Sequence, residues 1–209
     1  MLKGIAIADA REVDWQLLSA SEIKFVFILA TKGNRVINPN FASLREEAQQ
    51  AAISCGAYHV LDPSRSIEEQ SDLFLSVVGD PTPGMLPHAL FIEGEKWNWF
   101  GLPKRMPKVL AWLEVVEKKS KVRPILHLGY QFARKMLRTN KQLQLAKYPL
   151  WILNYNDVDE PKLPDPWHNW IFWDREHCGM MPGVSSAADL NVFSGELDDL
   201  AELGFQPAP

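Results

Sequence analysis

The chain has 209 residues, 46% of them hydrophobic and 23% charged, which suits one large α/β barrel or two small domains; a single domain over 1–203 with a tail at 204–209 is the expected arrangement. A formal net charge of -4, with Lys and Arg scattered along the chain, excludes the massed positive face that nucleic acid or an anionic membrane surface requires, and no window approaches the ~20 apolar residues that span a bilayer. Two cysteines, Cys55 and Cys178, are too few for a disulfide scaffold, and the five histidines contain no pair at metal-ligand spacing, so no metal and no cofactor is expected.

The start, Met1 to Asp9, meets an acid before it builds an apolar region of signal length, which predicts synthesis in the cytoplasm and leaves export by a signal-independent route, or after removal of a signal, open. Apolar runs then alternate with helix-period segments, the pattern of parallel strands joined by crossovers. The runs predict strands at 3–8, 24–30, 54–61, 88–93, 123–128, 149–155, 169–173 and 184–190, and eight strands suggest a closed barrel. Helices are expected at 41–53, where Phe41, Leu44 and Ala48 share a face, and at 66–78, 103–118 and 131–138. Beyond about residue 140 the helical period fades and Pro-rich links such as 160–166 take over, so a regular eightfold repeat is not expected. Cys178 falls in a loop on this reading, and the residues from Gly204 onward fray.

Several segments, in order, resemble glycoside hydrolase family 25, the muramidases that cleave the glycan strands of bacterial peptidoglycan. They are Asp14-Trp15, Ile23 to Ile28, Ala30-Thr31-Lys32-Gly33, Gly56-Ala57-Tyr58-His59, Tyr148 to Ile152, Trp170 to Trp173 and Asp189 to Gly195. The resemblance implies a single flattened TIM-like (β/α)5(β)3 barrel with its site at the carboxyl ends of the strands, which places Tyr58, Glu93, Tyr155, Asp174 and Asp189 around one mouth.

Glycoside cleavage needs a protonated acid at the leaving oxygen and a second group that stabilises the oxocarbenium-like centre. The resemblance assigns these roles to an Asp-x-Glu on the fourth strand, an Asp on the first and an Asp on the last. Carried over position by position, Glu93 matches the general acid and Asp189 the last-strand acid, whereas Ala6 stands at the first-strand Asp and Phe91 at the Asp of Asp-x-Glu. Lys32 replaces the Glu of the turn, Asp174-Arg175 replaces Gln-Tyr, and His127 replaces a Tyr. Asp9, Glu95 and Asp174 are the remaining candidates for a supporting acid.

Eight tryptophans suit a saccharide platform, because sugar faces stack on indoles whose N–H stays available to a hydroxyl. Trp97 and Trp151 are the expected groove residues, with Tyr58, His127 and Tyr155 beside them. The leading expectation is therefore a lysozyme-like barrel that binds peptidoglycan or a related amino-sugar glycan with little or no hydrolysis. The alternatives are an active muramidase working through Glu93 and a protein-interaction module in a cell-wall or secretion system.

Overall fold

The computed structural model describes residues 1–8, 12–94, 102–136, 144–155 and 159–206. In chain order the elements are β1 (Leu2–Ile7), α1 (Trp15–Ala20), β2 (Ile23–Lys32), β3 (Val36–Ile37), α2 (Phe41–Gln50), β4 (Ser54–Val60), α3 (Ile67–Val78), β5 (Ala89–Ile92), α4 (Leu102–Ser120), β6 (Ile125–Gly129), α5 (Tyr130–Met136), β7 (Leu150–Leu153), β8 (Phe172–Met180), β9 (Ala187–Phe193) and α6 (Leu197–Leu203). Eight strands close a barrel in the order β1-β2-β4-β5-β6-β7-β8-β9, and the two-residue β3 hangs on the edge of β2. The strands from β1 to β8 that form the barrel pair in parallel, while β9 runs antiparallel to both β8 and β1. Five βα units followed by three strands are thus the architecture of the chain.

Strand residues alternate between two buried environments, so the runs are apolar on both faces. Phe25 and Phe27 on β2 join Tyr58, Trp151, Phe172 and Phe193 inside the barrel, while Val26 and Ile28 meet the helices outside it. Room for the inner phenylalanines comes from glycines on the neighbouring strands. A Cβ at Gly4 would fall 2.4 Å from the Phe25 ring, and one at Gly56 would fall 2.3 Å from the Phe27 ring. Outside, α3 starts where Ser66 accepts a hydrogen bond from the Glu69 amide, and α2 stops at Gln50 because Ala52 turns to a positive φ of 57°.

Four expectations are corrected. The seventh strand begins at Phe172 and runs on to Met180, so Cys178 lies in a strand and not in a loop. The eighth is shifted to Ala187–Phe193. A helix, α6, follows residue 140 after all. It is fixed by a capping box between Glu196 and Asp199, and its Leu200 closes the barrel end opposite the strands' carboxyl termini. The start of the tail is also held, since Phe205 donates to the Met85 carbonyl and accepts from the Gly84 amide. Among the described residues no helix is long and apolar enough to cross a membrane.

Candidate functional site

The carboxyl ends of the parallel strands open into a groove of about 1050 Å³. Parallel strands all present the same end to this mouth, so the last inward-facing residue of each becomes a wall residue. Tyr58 comes from β4, Glu93 from the residue after β5, His127 from β6, Trp151 from β7, and Tyr155 from the link after β7. Asp174 on β8 and Asp189 on β9 complete the acids, and Ala6 and Phe91 supply apolar lining. Asp9, Glu95 and Trp97 lie outside the described residues.

The registers explain the juxtapositions. Ala6 pairs with Asp189 across the β1–β9 ladder, so a methyl group stands beside that carboxylate. Phe91, His127, Trp151 and Phe172 occupy one row across β5, β6, β7 and β8. Within that row His127 is sandwiched, its ring 4.4 Å from Phe91 and 4.0 Å from Trp151, at interplanar angles of 25° and 7°. The Trp151 face on this side is therefore covered by imidazole, and its N–H, rather than staying available to a sugar, donates to Asn191 Oδ1 at 2.7 Å.

Glu93, at the lip, accepts an ion pair from Lys32 at 3.3 Å, the lysine reaching across from the end of β2. Deeper in, Asp174 is 1% exposed; it accepts from the Tyr155 hydroxyl at 3.4 Å, and its Oδ2 stands 3.5 Å from His127 Nε2. Burial pushes the Asp174 carboxyl up to about 7, against the opposing effects of the Tyr155 hydrogen bond and the His177 charge. Burial likewise holds His127 down to about 3 despite the negative Asp189 nearby, so its imidazole is neutral. Asp189 is raised by burial and by the Asp174 charge, and lowered by His177, whose Nδ1 lies 2.5 Å from its Oδ1. Among the described residues no group of three or more His, Cys, Asp or Glu is arranged to hold a metal ion. Cys55 is buried in β4, which pushes its thiol up to about 12 and leaves it inert.

Two participants escape a reading of the sequence by strand period. His177 sits three residues after Asp174, which on a regular strand would face the other way. A register shift between Asp174 and Glu176 restores it to the groove side. Lys32 is legible as a departure from the resembled turn, but its pairing with Glu93 depends on the closure of β2 against β4 and β5.

The comparisons agree with this geometry. The family model of glycosyl hydrolases family 25 matches residues 8–184. Protein YegX of Escherichia coli K12 is 31% identical over 207 residues, covering 95% of this chain and 72% of its own. Lysozyme M1 of Streptomyces globisporus is 25% identical over 197 residues, covering 91% of this chain and 67% of its own. The bacterial lysozyme from Streptomyces coelicolor superposes with a TM-score of 0.87 over 97% of this chain and 96% of that one, at 24% identity. With the family match spanning most of its length, the chain belongs to glycosyl hydrolases family 25.

Proposed function

We propose that this family 25 protein binds bacterial peptidoglycan, or a related amino-sugar glycan, in the groove and hydrolyses it little or not at all. The ligand class is supported by relatives named as lysozymes, one of them 25% identical over nearly the whole chain. The observation that carries the loss of hydrolysis is the stack of Phe91 on His127, because an aromatic ring occupies the place the family resemblance gives to a carboxylate. A phenyl group can neither accept a hydrogen bond from an acetamido N–H nor balance developing positive charge. Ala6 is equally inert beside Asp189.

What remains at the lip is Glu93 held by Lys32. The Lys32 ammonium stands 3.3 Å from the Glu93 Oε2. Even a well-placed acid contributes about 10²- to 10⁴-fold, against roughly 10⁶-fold or more for an enzyme. The Asp174 and Asp189 pair favours the rival reading of an active muramidase, since unlike neighbouring carboxyls are the usual material of acid and base.

Purified cell walls decide between them. The protein sediments with the walls and clears their turbidity at less than about one hundredth of the rate of an active lysozyme. Clearing at an ordinary rate that vanishes in Glu93→Gln would establish the rival, and absence from the pellet would remove the glycan from the account.

A further inference from the structure

On the groove floor two side chains hold hydrogen-bonding atoms that meet no hydrogen-bond partner among the described residues. His127 is 4% exposed and both of its ring nitrogens lack a hydrogen-bond partner among the described residues; Asp174 is 1% exposed and its Oδ1 lacks one. Their own contact, Nε2 to Oδ2 at 3.5 Å, is too long to serve as one. Buried polar atoms are rarely left this way, and where several converge on a cavity they mark the place of a ligand group. The stack between Phe91 and Trp151 prevents the imidazole from turning to find a partner elsewhere.

We propose that Asp174 and His127 form a subsite for one uncharged carboxamide of the bound glycan, such as an acetamido group. Resting on the groove-binding reading above, the assignment deepens it by naming what the floor selects. A carboxamide both donates and accepts without charge. A neutral imidazole offers one N–H and one lone pair, and a protonated carboxyl offers an O–H and an acceptor oxygen. The apolar lining from Ala6 and Phe91 suits the methyl of an acetamide. A ligand carboxylate would meet Asp189, and an ammonium would leave the donor groups of the floor unmatched. Asp174 and His127 are also positions where the chain departs from the residues of the family it resembles, so the subsite is a property of this chain.

Among the described residues the titratable groups around Asp174 are His127 on β6, Tyr155 after β7, His177 on its own strand and Asp189 on β9, and β1 contributes Ala6. With its carboxyl pushed up to about 7, Asp174 keeps its proton below neutrality and loses it above, so the donor to the amide carbonyl disappears as pH rises. The test titrates the full chain with tetra-N-acetylchitotetraose and with the same oligomer fully de-N-acetylated, by calorimetry, alongside sedimentation with cell walls. The acetylated oligomer binds at least ~10-fold more tightly at pH 6, the factor expected when buried polar atoms lose their partner. That preference shrinks to within about twofold in Asp174→Leu and His127→Phe, is kept in Asp174→Asn, and fades toward pH 8 in the wild type but not in Asp174→Asn. Equal binding of the two oligomers, or a preference unchanged in Asp174→Leu and His127→Phe, overturns the subsite while wall sedimentation leaves the groove reading intact. Loss of wall sedimentation by the wild type overturns both. Because Asp174→Asn changes one atom, and the wild-type pH profile needs no variant, the outcome does not depend on the larger substitutions folding.

Discussion

At single residues the structure sets opposing demands on charge. Asp174 carries its proton to about pH 7 in the fold but only to ~3.9 in an unfolded chain. Its folded pKa is raised, so its contribution to stability is fully present below the unfolded value and is lost as pH climbs through 7. Asp174→Asn is accordingly expected to match the wild type near pH 4 and to exceed it by about 2–4 kcal/mol at pH 8, as read from urea unfolding at the two pH values. Equal stability at pH 8 would mean that the buried carboxyl ionises at little cost. His88 presents the simpler case. It is 2% exposed, lies against Phe74 at 5.1 Å, and neither ring nitrogen has a hydrogen-bond partner among the described residues. Burial holds its imidazole down to about 4. Replacing it with leucine removes an unsatisfied polar group, and His88→Leu should raise unfolding stability by roughly 1–2 kcal/mol, with a drop of that size contradicting the assignment.

Elements were legible wherever burial on both faces made a strand continuously apolar, as at Phe25 to Ile28 or Leu90 to Ile92. Legibility failed at β8, whose middle, Arg175 to His177, is polar and exposed because it leaves the barrel as one arm of a hairpin with β9. It failed again at α6, which is only seven residues long and owes its existence to a capping box and to Leu200 rather than to a long amphipathic face. The site followed the same division. Tyr58 and His127 could be placed from the family resemblance and Trp151 from its predicted strand end, and His177 could not, because a bulge changes the facing of everything after it. Two substitutions test the barrel's interior. Gly56→Ala pushes a methyl into the Phe27 ring and is expected to cost at least about 2 kcal/mol, whereas an unchanged melting temperature would show that the strands can part to admit it. Phe91→Asp removes one side of the His127 sandwich and should destabilise by about 1–3 kcal/mol, measured the same way. Phe91, which stands where the family resemblance sets a carboxylate, is thus part of the packing.

The molecule as a whole buries three neutral histidines, His59 at about 4, His88 at about 4 and His127 at about 3. All three are depressed below the ~6.5 of an unfolded chain, so the unfolded state takes up protons first as pH falls, and stability drops between pH 6.5 and 4. That trend outweighs the opposite slopes from the raised carboxyls of Asp174 and Asp189, and the urea midpoint should climb from pH 4.5 to 6.5; a flat profile would contradict the buried neutral imidazoles. The proposed function belongs to this scale too, because one barrel mouth gathers strand ends that are far apart in sequence. The most direct measurement is the release of new reducing ends from purified peptidoglycan by the full chain, compared with Glu93→Gln. The account predicts rates for both below about one hundredth of an active lysozyme's, while the protein stays bound to the walls. A rate approaching that of an active lysozyme, abolished by Glu93→Gln, would contradict it.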